Sequence, residues 1–147
     1  MKQKFFLILF FALMATGSFA QVTVDVFING TKAGQIVLNN KQTTGDLSYK
    51  KSVYKNIDKL SIQISGKWVE GGYFRKVMVM GDDATTPMLV APETAGAVGQ
   101  FVLTDNEIIK RLKKGKSISL WLEKTPANTK SKEAVTKVYL GMLSREK

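Results

Sequence analysis

Short segments in which apolar and polar residues alternate are the feature that most constrains the fold of this 147-residue chain. Alternation with a period of two places every second side chain on one face of an extended strand. It is clearest over residues 22–28, 60–65 and 117–123. Shorter, weaker or more continuous apolar segments occupy residues 35–38, 47–54, 73–80, 88–90, 100–103 and 135–143. The pattern predicts about seven to eight short strands.

Turn residues separate these segments and favour antiparallel neighbours. Asn29-Gly30 between two apolar stretches is typical of a type I′ hairpin, and we prefer this interpretation to the glycosylation acceptor that Asn29-Gly30-Thr31 also spells. Gly71-Gly72 predicts a second tight hairpin turn. Short strands without a strand–helix–strand rhythm indicate a mainly all-β fold, an antiparallel two-sheet β-sandwich.

One segment carries helical signals. Thr104 and Glu107 have the spacing of a capping box, and Gly115 is a typical helix stop, so a short amphipathic helix is predicted over residues 105–114. Its buried stripe would consist of Ile108, Ile109 and Leu112. We expect this helix to close one end of the sandwich.

A weak internal repeat is visible in the strand segments. Three pairs of segments resemble each other in the same order: 34–38 and 99–103, 60–64 and 118–122, 75–79 and 136–140. Two explanations stay open, a duplicated unit or the similarity that alternation alone produces among strands.

The first twenty residues have the layout of a secretory signal peptide. Lys2 and Lys4 precede an apolar run over residues 5–14, and Ser18-Phe19-Ala20 is a small-x-small cleavage pattern. A helix that spans a bilayer needs about 20 apolar residues. This run is shorter, so we expect no membrane-spanning segment. The leader resembles those of exported bacterial proteins. We expect cleavage after Ala20 and a single domain over residues 21–147, in the periplasm or outside the cell.

The chain contains no cysteine and no histidine. This composition excludes disulfide scaffolds, Ser-His-Asp and Cys-His catalysis, and zinc, copper or iron sites built from imidazole or thiolate. Nucleotide-binding glycine motifs are also missing from the sequence. We therefore predict no enzymatic activity, no cofactor and no metal.

Some chemistry remains open with these residue types. A carboxylate pair of the kind used by glycosidases would come from Glu70, Asp82, Asp83, Glu93 or Glu123. A Ser-Lys dyad, or calcium held by Asp82-Asp83, is also compatible with the sequence. The carboxylates have no diagnostic spacing, and solvated acids in turns and at strand ends are the preferred interpretation.

The charge balance favours anionic partners. With 22 basic and 12 acidic residues the chain carries +10, and without Lys2 and Lys4 it carries 20 − 12 = +8. Acidic glycan, lipid head groups or an acidic protein face would be attracted. Nucleic acid is not expected at an exported address, and a soluble surface with solvated lysines is the plainer explanation.

The candidate binding surface combines aromatic, acidic and basic residues from three segments. Its members are Trp68, Tyr73 and Phe74 around the glycine pair, Asp82 and Asp83 in the irregular stretch 81–99, and Lys110, Arg111, Lys113 and Lys114 on the helix. Aromatic side chains on a β surface stack on sugars or anchor interfaces. The second tryptophan, Trp121, lies by alternation on the strand face opposite to Leu120 and Leu122, and it is nevertheless expected in the core.

These observations favour an exported, non-enzymatic interaction module or accessory subunit of the bacterial cell envelope, whose partner is another envelope protein. The alternative is a binding module for acidic glycan or lipid head groups, and the third hypothesis is a small glycan-active hydrolase. An accessory subunit should expose a contiguous apolar patch, and a glycan binder should show aromatic faces flanked by basic residues. A hydrolase needs two carboxylates within roughly 5–9.5 Å in one cleft.

Overall fold

A computed structural model describes residues 21–39, 45–50, 56–81 and 85–146. These residues form nine strands, one α-helix and one 3-10 turn. The strands are β1 (Val22–Ile28), β2 (Thr31–Leu38), β3 (Asp46–Tyr49), β4 (Leu60–Gly66), β5 (Tyr73–Met80), β6 (Pro87–Pro92), β7 (Gln100–Leu103), β8 (Ile118–Pro126) and β9 (Thr136–Arg145). The helix α1 (Asn106–Lys113) lies between β7 and β8, and the 3-10 turn (Lys67–Val69) follows β4. The predicted leader, residues 1–20, lies outside the described residues.

The strands form two sheets that enclose one core. Sheet A has the order β2-β1-β4-β7, and sheet B has the order β3-β9-β8-β5-β6. The prediction of a mainly all-β fold with two sheets and one helix is confirmed. The expectation that all strands pair antiparallel is wrong, because β3 runs parallel to β9. Parallel neighbours are joined by long connections, so no turn motif records their direction.

Alternation builds the core as predicted. Along β1, the residues Val22, Val24, Val26 and Ile28 are buried, while the residues between them are half-exposed. Both sheets contribute their inward residues to the same cluster. The helix adds its predicted stripe to that cluster: Ile108, Ile109 and Leu112.

The Asn29-Gly30 turn joins β1 and β2 as predicted. Both residues have positive φ angles, 51° and 82°, as a type I′ turn requires. The Asn29 side chain also holds the segment that leads into β4. Its Oδ1 accepts hydrogen bonds from the backbone N–H of Asp58 at 2.8 Å and of Lys59 at 3.1 Å, and its Nδ2 donates to the carbonyl of Asn56.

The segment around Gly71-Gly72 is not a hairpin, which corrects the sequence-based expectation. β4 belongs to sheet A and β5 to sheet B, so this segment carries the chain between the sheets. The 3-10 turn Lys67–Val69 ends the extended chain of β4 before this segment begins. A glycine pair permits tight turns of many kinds, and its sequence does not state whether the following strand returns to the same sheet.

The same topology argues against a duplicated unit. The echoed segments 60–64 and 75–79 lie in β4 and β5, which occupy different sheets. Their counterparts lie in β8 and β9, which pair directly in sheet B. These two pairs of segments therefore do not occupy equivalent positions in two units, which favours alternation as the source of their resemblance.

The helix begins one residue later than expected. Asp105 is the N-cap, and its carboxylate accepts hydrogen bonds from the backbone N–H of Glu107 at 2.9 Å and of Ile108 at 3.1 Å. The predicted capping role of Thr104 is therefore wrong. A side-chain oxygen at the N-cap bonds the second and third helical N–H groups, and Asp105 is at the correct distance from both. No helix among the described residues is long and apolar enough to cross a membrane.

Two further segments were only partly anticipated. The stretch 81–99 contains a six-residue strand, β6, which pairs with β5 and forms one edge of sheet B. β3 covers only the beginning of the weak segment 47–54, of which residues 51–54 lie outside the described part of the chain.

Candidate functional site

The outer face of sheet B carries an apolar surface that runs across four strands. One row of directly paired neighbours crosses β6, β5, β8 and β9: Val90, Met78, Trp121 and Tyr139. In the next row, Met80 and Met142 flank Ser119. We call these six apolar residues (Val90, Met78, Trp121, Tyr139, Met80 and Met142) the apolar stripe.

The stripe is packed although it lies outside the central core. Met78 and Met80 are only 3% and 7% exposed, yet neither belongs to the core cluster between the sheets. The indole of Trp121 lies against the ring of Tyr139, with ring centroids 5.0 Å apart and planes inclined by 52°. Burial, with a smaller contribution from the Asp46 carboxylate, raises the pKa of Tyr139 above its usual value. Val90 at the end of the row is 45% exposed.

The sequence of β5 accounts for this layer. Its last four residues, Val77-Met78-Val79-Met80, are apolar at every position. Val77 and Val79 point into the core, so the two methionines must lie on the outer face. An apolar residue at every position is typical of a strand covered on both faces, and on the outer face Met78 is flanked by Val90 and Trp121 of the paired strands.

The outer face of sheet A is polar by comparison. Its central residues include Thr23, Asp25, Gln35, Ser61 and Gln63. The Asp25 carboxylate accepts from Lys32 Nζ and Gln35 Nε2, both at 2.7 Å. Partial burial acts to raise the pKa of Asp25, but these hydrogen bonds outweigh it and lower the pKa.

The apolar residues of that face do not form a continuous surface. Phe27 lies between Lys32 and Ser61, Val37 pairs with Thr23, and Val102 pairs with Ser61. The two outer faces thus differ in kind, since among the described strands only those of sheet B have apolar neighbours in consecutive strands on this face. Exposed apolar surfaces mark interaction sites, and the accessible part of this stripe consists of exposed Val90 and the half-buried Trp121, Tyr139 and Met142.

A basic pocket lies beside α1, next to the end of the apolar stripe. Its volume is about 150 Å³, and its lining residues are Met88, Glu107, Lys110, Arg111, Lys114 and Lys116. Arg111 Nε donates to the carbonyl of Ser117 at 2.8 Å, which orients the guanidinium. Lys110 Nζ donates to Glu107 Oε1 at 2.8 Å, and this carboxylate raises the pKa of Lys110.

An open groove separates the edge strands β6 and β7. It has a volume of about 460 Å³ and is lined by Leu89, Val90, Ala91, Pro92, Val102, Thr104, Asp105 and Asn106. Val90 belongs both to this groove and to the apolar stripe. The groove therefore extends the apolar surface around the edge of sheet B.

The aromatic candidates from the sequence do not form one surface. Trp68 is half-buried and packs against the core. Tyr73 donates its hydroxyl to Glu133 Oε2 at 2.8 Å, which raises its pKa, and Lys124 Nζ lies 4.3 Å from its ring centroid. Phe74 is 64% exposed. Because successive strand residues alternate, it lies on the face of β5 opposite to Tyr73, which is the outer face that also carries Met78.

The charged candidates are also divided. Lys110, Arg111 and Lys114 line the basic pocket, and Lys116 joins them. Lys113 points away and lies 3.5 Å from the Asp58 carboxylate. Asp82 and Asp83 lie outside the described residues.

The expectation that Trp121 belongs to the core is wrong. The same alternation that places Ile118, Leu120 and Leu122 in the core requires Trp121 to face outward. That signal was available in the sequence, but the size and hydrophobicity of tryptophan favoured burial. Tyr139 had no comparable signal, because its position beside Trp121 depends on the register between β8 and β9.

Two of the acids considered for hydrolysis lie on different sides of sheet B. Glu93 is opposite Arg75 at the inner side and bonds its guanidinium at 2.5 Å. Glu123 lies on the outer face, 3.7 Å from Lys137. These two carboxylates do not converge in one cleft. Among the described residues, no group of three or more acidic side chains is arranged to hold a metal ion.

No family model, curated protein or solved structure matches this chain. Its function is therefore inferred from these surfaces. The two features that bear on function are the apolar stripe on the outer face of sheet B and the basic pocket beside α1.

Proposed function

We propose that this protein is an exported, non-enzymatic interaction module or accessory subunit of the bacterial cell envelope. In this proposal the apolar stripe docks on another envelope protein. The observation that carries it is the unbroken row Val90, Met78, Trp121 and Tyr139 on the outer face of sheet B. The opposite face of the sandwich has no such row among its described residues.

The composition of the stripe favours a protein partner. Tryptophan, tyrosine and methionine are enriched at the centres of protein interfaces, and methionine adapts its shape to the opposing surface. A polar row borders the stripe: Lys76 pairs across the strands with Glu123, and Glu123 with Lys137. An apolar centre with a charged rim is the usual anatomy of such an interface.

The same geometry argues less strongly for a glycan platform. The rings of Trp121 and Tyr139 are inclined by 52°, so they do not present one flat surface on which a sugar ring could stack. The alternative, a module for acidic glycan or lipid head groups, is supported instead by the basic pocket with Lys110, Arg111, Lys114 and Lys116. A hydrolase has no such support from Glu93 and Glu123.

Site-specific photo-cross-linking in the native envelope tests the docking face. A photoreactive amino acid replaces Val90 or Tyr139 on the outer face of sheet B, and Gln35 or Gln63 on the outer face of sheet A. The proposal expects one stoichiometric protein partner from both sheet B positions and none from the sheet A positions. Equal cross-linking from both faces, or no protein from either, would refute it.

A matched pair of substitutions separates loss of docking from loss of folding. Val90→Asp places a charge in the stripe, and Val37→Asp places the same charge on the outer face of sheet A. With circular dichroism showing both variants folded, only Val90→Asp should abolish the Tyr139 cross-link.

Intact-mass analysis of the exported product tests whether the leader is removed, since cleavage after Ala20 leaves Gln21 as the first residue.

A further inference from the structure

We propose that the basic pocket beside α1 is a binding site for a phosphate monoester group. This inference does not depend on the docking role of the apolar stripe. The pocket lies next to the stripe, because Gly81 follows Met80 directly and the Met88 sulfur and Arg111 guanidinium both approach Gly81. Recognition of an anion is therefore a second activity at the margin of the same surface.

The end of the helix builds the pocket. Gly115 has a φ of 74°, and its N–H donates to the carbonyl of Leu112 at 2.9 Å. Lys116 N–H donates to the carbonyl of Arg111 at 3.1 Å. These two bonds form a Schellman motif, in which the chain reverses over the last turn of the helix. The reversal returns Lys116 to the side of Arg111.

The helical face supplies the other cations. Residues three and four apart lie on one side of a helix, so Glu107, Lys110, Arg111 and Lys114 follow each other along one stripe. Arg111 is fixed in position because its Nε donates to the carbonyl of Ser117 on the returning chain. An oriented guanidinium beside flexible ammonium groups is a suitable arrangement for a phosphate.

The charge of the lining favours a dianion. Four cations and one carboxylate line the pocket, which leaves 4 − 1 = +3. Glu107 is bonded to Lys110, so its repulsion of an anion is reduced. A phosphate monoester carries about −1.5 to −2 at neutral pH, and a carboxylate carries only one negative charge. The site therefore discriminates by charge in favour of the phosphate.

The negative end of the helix dipole does not prevent this. The last-turn carbonyls of Lys110, Arg111 and Leu112 accept hydrogen bonds from the chain itself, through Lys114, Lys116 and Gly115. Their partial charge is thereby reduced.

The size of the pocket also favours a small anion. At about 150 Å³ the pocket is smaller than a typical ligand site of about 300 Å³ or more, which suits one phosphate group and not an oligosaccharide.

NMR titration of the ¹⁵N-labelled protein, expressed with its own leader and isolated as the exported product, tests the site. Glycerol 3-phosphate, inorganic phosphate and acetate are added at constant ionic strength. The two phosphates should shift the amide signals of Arg111, Gly115, Lys116 and Ser117 in a saturable manner. Acetate should bind at least roughly fivefold more weakly, because its single charge matches the lining less well.

Charge-reversal variants connect the signal to the pocket. Lys114→Glu with Lys116→Glu should weaken phosphate binding by roughly tenfold or more, because it replaces two attractions with two repulsions. The matched control is Lys130→Glu with Lys132→Glu in the exposed loop before β9, which changes the net charge equally. Shifts that persist in the pocket variant, that vanish equally in the control, or that acetate reproduces with equal affinity would overturn the proposal.

Vesicle sedimentation distinguishes the source of the phosphate. Co-sedimentation with phosphatidylcholine vesicles that contain phosphatidic acid, but not with phosphatidylcholine alone, identifies a lipid head group. Saturable binding of glycerol 3-phosphate without co-sedimentation identifies a soluble phosphate ester. Both results support the site, and the absence of binding in both assays refutes it.

Discussion

Breaking the ion pair between Arg75 and Glu93 from one side is expected to destabilise the fold strongly, because one charge would stay buried without its partner. The Arg75 side chain is only 4% exposed, and its Nε lies 2.5 Å from Glu93 Oε1. Its Nη1 donates to the carbonyl of Glu70 at 2.8 Å, and Glu93 Oε1 also accepts from the N–H of Gly99 at 2.8 Å. The pair thus connects β5 to the segment between β6 and β7.

Glu93→Gln is the sharpest perturbation of this pair. Glutamine has nearly the same volume and keeps an oxygen for Gly99, so the change removes little besides the charge. Loss of one partner of a buried ion pair costs about 3–5 kcal/mol, because the other charge stays buried without its counter-ion. Glu93 is 21% exposed, so water can enter from its side, and we expect the lower end, about 3 kcal/mol.

A double-mutant cycle measures the coupling directly. Arg75→Met should cost less, about 2 kcal/mol, because the carboxylate that remains is partly hydrated and still bonded to Gly99. The double variant should cost clearly less than the sum of the two single changes, because it leaves no unpaired charge. Urea unfolding gives the free energies, and the loss in Glu93→Gln corresponds to a melting temperature lower by roughly 12 °C for a domain of this size.

The reasoning has a clear refutation. A free energy of unfolding for Glu93→Gln within about 0.5 kcal/mol of the wild type would show that the guanidinium does not need this carboxylate. Strict additivity in the cycle would show that the two side chains do not interact. Either result would mean that the junction between β5 and the segment after β6 is held by backbone hydrogen bonds and packing alone.

Three further predictions concern the backbone at Gly141, the N-cap of the helix at Asp105 and the titration of Tyr139. Gly141→Ala should lower the free energy of unfolding by at least about 3 kcal/mol, because the residue has a φ of +148° and an added Cβ would overlap a backbone carbonyl oxygen. The control Gly71→Ala meets open space and should leave the free energy nearly unchanged in the same thermal unfolding experiment. In urea unfolding, Asp105→Ala should lower the free energy of unfolding by about 1 kcal/mol, and Thr104→Ala should leave it almost unchanged. The opposite order would show that Thr104 is the N-cap residue. The raised pKa of Tyr139 contributes stability that is present below the usual tyrosine value of about 10 and is lost as pH rises through the folded value. Urea unfolding at increasing alkaline pH should therefore show a smaller loss in Tyr139→Phe, and an unchanged loss would contradict this.

The sequence by itself determined the features that depend on neighbouring residues. Strand β1 occupies the predicted residues 22–28, because alternation is a property of the strand alone. The Asn29-Gly30 turn forms because these two residues accept positive φ angles at low cost. The buried stripe of the helix and its end at Gly115 follow in the same way from spacing along the chain.

Part of the candidate site was also predictable. The cations of the basic pocket are close in sequence, and helical spacing brings Lys110, Arg111 and Lys114 to one face. Lys113 is three residues after Lys110, so spacing alone does not exclude it from this face, and the structure instead places it 3.5 Å from the Asp58 carboxylate. Alternation also predicts that Trp121 lies on the face opposite to Leu120 and Leu122, as it does in the structure, and only the expectation that it is buried in the core is wrong.

Only the tertiary structure decided which strands become neighbours. β3 lies parallel to β9 from the far end of the chain, β5 leaves the sheet of β4, and Tyr139 meets Trp121 through the register of β8 with β9. The burial of Arg75 against Glu93 depends on pairing of the same kind. Alternation predicts on which face of a strand a side chain lies, but it does not predict the partner strand. Strands of similar composition could pair with each other in several arrangements at similar local free energies. The choice among them is made by the burial of the whole core, which no single segment encodes.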